Sequence, residues 1–119
     1  MRTTLSKHSW IFLKGLLDIR WWFIANIFEY DEELASEVFA RIPKIARAVK
    51  ASNPDIKGMN ILNNNGQVAY QSVFHSHFHL VPRYTSNDDF KMIFKDNSNK
   101  YSPEQLKAIQ ESIEQHMGD

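Results

Sequence analysis

The sequence predicts an α+β fold with an antiparallel sheet, one helix packed across it and a second helix near the C-terminus. Three observations predict it: a helical period of apolar residues over 31–52, an alternation with period two over 74–82, and a helix-start pattern at Ser102. A period of three to four residues is typical of a helix with one buried face, whereas alternation is typical of a strand. At 119 residues the chain is long enough for one domain with a hydrophobic core.

Residues 1–25 are strongly apolar, but charged residues interrupt the run. Aromatic clusters at 10–13 and 21–24 stand on either side of Lys14 and Asp18. A membrane-spanning helix needs about 18 apolar residues with few charges, and a signal peptide ends in a small-residue cleavage site, which does not follow here. We therefore expect this segment to pack on the protein's own core, and we expect no association with a membrane.

Residues 31–52 carry the apolar stripe of an amphipathic helix. Asp31 can cap its first turn, and Pro43 should kink it because proline removes one backbone hydrogen bond. The stripe consists of Leu34, Val38, Phe39, Ile42, Ile45, Ala46 and Val49. Such a stripe predicts a helix that buries one face.

Shorter patterns predict the remaining elements. Residues 56–63 alternate weakly and predict a strand, and Asn65-Gly66 is typical of a tight hairpin turn. A short strand is expected around residues 90–94. Residues 102–105 combine a serine cap, a proline at the first helical position and a glutamine three residues after the cap, which predicts the start of the C-terminal helix.

Three of the five histidines stand at a spacing of two, as His75, His77 and His79. In a strand, positions i, i+2 and i+4 share one face, so the three imidazoles should stand in a row opposite an apolar face. A core does not need three imidazoles, so the pattern indicates a functional site. A strand metal site and nucleophilic catalysis by histidine both remain open. The chain has no cysteine, and nothing places His8 or His116 nearby as a further metal ligand.

The flanking residues favour catalysis, because together with the histidines they resemble the histidine-triad (HIT) family of nucleotide hydrolases and transferases. The residues that carry the resemblance are His75-x-His77-x-His79, Asn64-Asn65-Gly66, Gln71-Ser72-Val73 and Val81-Pro82-Arg83. The resemblance implies a HIT-like antiparallel sheet. It also implies hydrolysis at the α-phosphate of a purine nucleoside phosphoramidate or a dinucleoside polyphosphate, through a covalent nucleotidyl-histidine.

The same resemblance implies a role for each candidate residue. His77 would be the nucleophile, oriented by the backbone carbonyl of His75, and His79 would lie beside the phosphate. The implied substrate-binding residues, which contact phosphate oxygens and the departing group, are Asn64, Gly66, Gln71 and Ser72. No metal and no other cofactor is implied.

The resemblance begins near residue 26, so we expect an atypical apolar segment at 1–25 and a HIT-like domain at 26–119. Family members build the base and ribose pocket from strands and a helix that come earlier, and Lys7-His8-Ser9-Trp10 matches that part only faintly. We therefore expect an altered or truncated N-terminal part. The alternative function is a catalytically impaired HIT-fold protein that binds phosphate or a partner without a complete nucleoside pocket.

Charge and composition limit the kinds of partner that are expected. Lys and Arg total 14, as do Asp and Glu, so no net basic field recruits nucleic acid. We expect a cytoplasmic protein, and the resemblance implies a purine nucleotide as its substrate. Family members commonly dimerise, and a large apolar segment favours self-association, so a homodimer is expected.

Overall fold

The computed structural model describes residues 24–118, and the predicted packing of the apolar N-terminal segment lies outside them except for its last two positions. The chain forms two compact units, Met1–Asp88 and Asp89–Asp119. The helices and strands are α1 (Glu32–Ala51), β1 (Gly58–Leu62), β2 (His79–Arg83) and α2 (Pro103–His116), with short 3-10 helices at Ile27–Glu29, Gln67–Ala69 and Ser98–Lys100. No helix in this part of the chain combines the length and apolar composition that crossing a membrane requires. The predicted α+β class is confirmed.

Helix α1 agrees with its prediction to within one residue at each end. The Asp31 carboxylate accepts a hydrogen bond of 2.8 Å from the backbone N–H of Leu34, and Pro43 lies inside the helix. Leu34, Val38 and Ile42 are buried along one face. These three residues belong to the predicted stripe, whereas Phe39, another of its members, is 47% exposed.

The core of the first unit joins α1 to the segment that leads into β2. Ile24, Tyr30 and Phe78 pack against the buried residues of α1. The rings of Phe39 and Phe78 meet edge to face, with their centroids 5.6 Å apart. Aromatic pairs favour this geometry, so the contact helps to fix where the chain enters β2.

Strands β1 and β2 pair antiparallel, with Leu62 opposite His79 and Gly58 opposite Arg83. The predicted first strand is therefore confirmed in a shorter form. The tight hairpin predicted at Asn65-Gly66 is wrong, because residues 63–78 lie between the two strands. Gly66 instead adopts a φ of 92°, a conformation that favours glycine, ahead of a 3-10 helix.

The expected strand with three histidines on one face is also wrong, because only His79 belongs to β2. The backbone of the segment that precedes His79 forms hydrogen bonds with partners that do not belong to a neighbouring strand. The N–H of Ser76 donates to the carbonyl of Ile24 at 2.8 Å, and the carbonyl of His77 accepts from the Asn63 side chain at 2.8 Å. Phe74, assigned to the buried face by the alternation, is 66% exposed.

Arg83, the last residue of β2, forms an ion pair with Asp88 and a hydrogen bond to Asn60 of β1. The guanidinium of Arg83 donates from Nε to Asp88 at 2.7 Å and from a terminal nitrogen to the Asn60 side-chain oxygen at 2.7 Å. The backbone N–H of Tyr84 donates to the second carboxylate oxygen of Asp88 at 3.1 Å. The hydrogen bond from Arg83 is the main reason why the pKa of Asp88 falls to about 2.

In the second unit, α2 begins as predicted. The Ser102 hydroxyl accepts from the backbone N–H of Gln105 at 3.2 Å, and the Gln105 side chain accepts from the backbone N–H of Ser102 at 2.8 Å. The short strand expected around residues 90–94 is not formed. Ile93 breaks the alternation there and is 93% exposed, so the segment has no distinct apolar face.

Candidate active site

His77 is held by a backbone carbonyl. Its Nδ1 lies 2.7 Å from the carbonyl oxygen of His75. A carbonyl oxygen can only accept a hydrogen bond, so in the neutral ring Nδ1 carries the proton and Nε2 carries the lone pair. The geometry that the resemblance implies for the nucleophile is therefore present. Nε2 is the atom through which such a ring would attack.

The His79 ring lies beside that of His77. Their centroids are 4.8 Å apart and the ring planes meet at 76°. Burial, and then the charge of a protonated His77, lowers the pKa of both His75 and His79. Both imidazoles are therefore neutral near neutral pH, and each keeps one N–H to donate. The rings of His77 and His79 are therefore in contact and His75 supplies its backbone carbonyl, but the three histidines do not share a strand face.

Two asparagines fasten the backbone of His77. Strand β1 ends opposite His79, so the residues that follow β1 emerge beside the histidines. The Asn63 amide donates to the carbonyl of His77 at 2.8 Å, and Asn65 donates to the Asn63 side-chain oxygen at 2.6 Å. Asn65 in turn accepts from the backbone N–H of Ile27 at 2.8 Å. The role of Asn63 was not predicted, since a run of three asparagines does not show which one reaches the histidines.

Gln71 is 2% exposed, and its side chain binds three backbone segments. Its amide nitrogen donates to the carbonyl of Ala25 at 2.6 Å and to the carbonyl of Val73 at 3.1 Å. Its oxygen accepts from the N–H of Gly66 at 2.8 Å. Both amide hydrogens are thus engaged by carbonyls, so in this structure the side chain braces the loop. Donation from Gln71 to a phosphate stays a prediction.

The other predicted substrate-binding residues lie on the same loop. Gly66 is bonded to Gln71 through both its backbone N–H and its carbonyl. The Asn64 amide contacts the carbonyl of Tyr70 at 3.5 Å, a weak contact that a ligand could replace. Ser72 is exposed. Asn64 and Ser72 therefore have donors that a ligand can reach.

Ser76 is a buried polar residue between two of the histidines. It is 1% exposed, and its hydroxyl lies 2.6 Å from the hydroxyl of Tyr30. Buried polar groups need a hydrogen-bond partner, so a serine on an otherwise apolar face was a usable signal for such a contact. The sequence did not show that Tyr30 is the partner.

A hollow of about 300 Å³ opens beside the loop. Its walls are formed by Gln67, Tyr70, Gln71, Ser72 and Phe74. Two of these residues, Gln71 and Ser72, belong to the predicted substrate-binding set. The hollow therefore adjoins the segment to which the resemblance assigns the phosphate.

Within residues 24–118 no three His, Cys, Asp or Glu side chains are grouped so that they could hold one metal ion. His116 binds its own helix, with Nδ1 2.7 Å from the carbonyl oxygen of Ser112. His8 lies outside the described residues. The absence of a metal cofactor stays a prediction.

Comparisons with known proteins agree with the motif. The family model described as "HIT domain" matches residues 19–86. The Bacillus subtilis relative named "Protein hit" is 47% identical over 90 residues, covering 76% of this chain and 61% of that protein. An adenosine 5'-monophosphoramidase of Schizosaccharomyces pombe is 32% identical over 89 residues, covering 75% of this chain and 62% of that enzyme. The chain thus spans about three fifths of the length of these two relatives.

A solved structure shows the same likeness in three dimensions. The crystal structure of a HIT-family protein from Bacillus subtilis superposes with a TM-score of 0.75 at 43% identity. The match covers 81% of this chain and 67% of that one. The likeness therefore extends well beyond the histidine motif.

Proposed function

The chain belongs to the histidine-triad (HIT) family, and we propose that it hydrolyses the phosphorus–nitrogen bond of a purine nucleoside 5′-phosphoramidate. The observation that carries the proposal is the 2.7 Å contact between His77 Nδ1 and the carbonyl oxygen of His75. It leaves Nε2 as the only lone pair of the neutral ring. The name of the Schizosaccharomyces pombe relative, an adenosine 5'-monophosphoramidase, supports this substrate class.

The reaction proceeds in two displacements at the α-phosphorus. In the first, Nε2 of His77 forms a bond to phosphorus while the phosphorus–nitrogen bond of the substrate breaks, and the departing nitrogen takes one proton from solvent. In the second, a water oxygen bonds to phosphorus, the bond to Nε2 breaks, and one proton returns to solvent. The products are the nucleoside monophosphate and the free amine. A histidine suits this role because it accepts the phosphoryl group and then releases it to water.

The surrounding groups stabilise the charges that develop. While phosphorus is bonded to Nε2 the ring is cationic, and the His75 carbonyl at Nδ1 offsets that charge. The neutral His79 ring donates its N–H to a phosphate oxygen. Asn64 and Ser72 add donors to the phosphate and to the departing amine. Each well-placed donor of this type can contribute about 3 kcal/mol to the transition state.

Three finer predictions belong to the same proposal. We propose a purine as the base, a homodimer as the assembly and the cytoplasm as the location. Dinucleoside polyphosphates form the second candidate substrate class, because they present the same α-phosphorus with a different leaving group. Light scattering of the purified chain tests the dimer.

The test is turnover of adenosine 5′-phosphoramidate by the intact chain, by His77→Ala and by His116→Ala, each with and without chelator. We expect turnover by the intact chain, its loss in His77→Ala by at least about a thousandfold, and its retention in His116→Ala. We expect no effect of chelator. A chain that folds but turns over neither this substrate nor diadenosine polyphosphate would contradict the proposal and favour the impaired binding protein.

A further inference from the structure

Tyr70 has an unusual backbone conformation. Its φ is 63°, and it is the only residue other than glycine with a positive φ among residues 24–118. A side chain with a Cβ is disfavoured there, whereas glycine adopts this region freely. The Tyr70 side chain is 88% exposed, so contacts within the described chain do little to offset the strain. Backbone strain of this kind is typical of functional sites, so the position indicates a use of the tyrosine outside folding.

The surrounding hydrogen bonds hold Tyr70 in this conformation. Its N–H donates to the carbonyl of Gln67 at 3.0 Å, which closes the 3-10 helix. The next residue, Gln71, is anchored to Gly66 by bonds of 2.8 and 3.0 Å. The tyrosine therefore stands on a braced turn, where an aromatic ring can receive a ligand at low entropic cost.

A second exposed aromatic ring lines the same hollow. Phe74 is 66% exposed and forms part of the wall together with Tyr70 and Ser72. Phe74 also immediately precedes His75 in the chain. Two exposed aromatic side chains on one hollow favour a flat apolar ligand over a charged one, since aromatic rings gain from stacking as well as from burial.

We propose that Tyr70 and Phe74 form a subsite for a planar aromatic substituent on the leaving amine of the substrate. This inference rests on the proposed phosphoramidase function. We take the leaving group as the occupant because the hollow includes Gln71 and Ser72, to which the resemblance assigns contacts with phosphate oxygens and the departing group. The resemblance assigns the base and ribose to a different part of the fold. The chain would then select among phosphoramidates by the amine they carry.

The test compares two substrates that differ only in the amine, adenosine 5′-phosphate joined to benzylamine and adenosine 5′-phosphate joined to methylamine. The readout is selectivity, the ratio of kcat/KM for the benzyl compound to kcat/KM for the methyl compound. The variants are Tyr70→Gly, which removes the ring and relieves the backbone, Tyr70→Leu, which keeps apolar bulk, and Tyr70→Phe, which keeps the ring. Val68→Ala is the control, because Val68 is 99% exposed on the same turn and does not line the hollow.

We expect the intact chain, Tyr70→Phe and Val68→Ala to favour the benzyl compound by about fivefold, the typical gain from one aromatic contact. Tyr70→Gly and Tyr70→Leu should bring the ratio close to one. An unchanged ratio in Tyr70→Gly, or no preference in the intact chain, would overturn the subsite.

Calorimetry separates failure of the subsite from failure of the proposed function. Dissociation constants for the two compounds are measured with His77→Ala, alone and combined with Tyr70→Gly. If the intact chain turns over neither of these compounds, nor adenosine 5′-phosphoramidate, nor a diadenosine polyphosphate, the proposed function fails. A benzyl preference in binding that depends on Tyr70 then still supports the aromatic subsite, and its absence contradicts the subsite as well.

Discussion

The loop at residues 63–78 and helix α2 differ in how far along the chain their hydrogen-bond partners lie. Helix α2 begins with the reciprocal hydrogen bonds between Ser102 and Gln105, whose partners are three residues apart. In the loop, Gln71 binds the carbonyl of Ala25 and Ser76 binds the hydroxyl of Tyr30, and both pairs are 46 residues apart. A local pattern therefore determines the start of the helix, whereas distant partners shape the loop that carries His75 and His77.

This difference shows that a histidine motif can indicate the type of reaction without determining the backbone conformation of the segment that carries it. The residues of the loop alternate as a strand would, but side chains of other segments bind its backbone groups. We expect the loop to be sensitive to single changes at these side chains, and α2 to be sensitive mainly at its cap.

The largest effect is expected for Gln71→Leu. The change leaves the partly buried carbonyl of Ala25 and N–H of Gly66 without these partners, and each group left unsatisfied in this way costs about 1–3 kcal/mol. The free energy of unfolding, measured with urea, should fall by about 3 kcal/mol. Gln67→Leu is the control, because Gln67 is exposed and should change stability by less than about 0.5 kcal/mol. Equal small effects in both variants would show that Gln71 does not brace the loop.

Removal of the contact between Ser76 and Tyr30 is expected to have the next largest effect. Ser76→Ala should lower the free energy of unfolding by about 1–2 kcal/mol, because it leaves the tyrosine hydroxyl without this partner. A double-mutant cycle with Tyr30→Phe measures the coupling between the two hydroxyls, which should be about 1 kcal/mol. Strict additivity of the two changes would contradict a direct hydrogen bond. Ser86→Ala, at an exposed site, serves as the control.

In α2, Ser102→Ala should have a smaller and local effect. Loss of the cap typically costs about 1 kcal/mol of helix stability. Hydrogen exchange of the first-turn amides should accelerate by about fivefold. Ser112→Ala, in the body of the same helix, provides the comparison. Unchanged exchange in Ser102→Ala would mean that the helix does not depend on its cap.

The smallest effect is expected for the ion pair at the end of β2. This pair should make the stability of the protein depend on pH. The pKa of Asp88 is lowered to about 2 from 3.8, so the folded state binds fewer protons than the unfolded state between these values. The stability due to Asp88 is present above pH 3.8 and is lost as the pH falls towards 2. Asp88→Asn and Arg83→Gln should both flatten the fall in urea midpoint over this window. If the urea midpoint of both variants fell with pH as steeply as in the wild type, the ion pair would not be the source of this pH dependence.

The sequence predicted well the features that depend on neighbours in the chain or on one repeated face. The extent of α1, the cap at Asp31 and the cap of α2 belong to this class. The three-histidine strand was wrong because Asn63 and Ile24, which bind its backbone, come from elsewhere in the chain. The strain at Tyr70 could not be predicted either, since a backbone dihedral angle is set by the folded loop.

The most direct test of the account is a search for the covalent intermediate on His77. The intact chain is mixed with adenosine 5′-phosphoramidate, quenched within one turnover in alkaline denaturant and analysed by mass spectrometry. The account predicts one adenylyl group per chain, on the peptide that contains His77, and none in His77→Ala. A chain that turns over the substrate without this adduct, or an adduct that persists in His77→Ala, would contradict it.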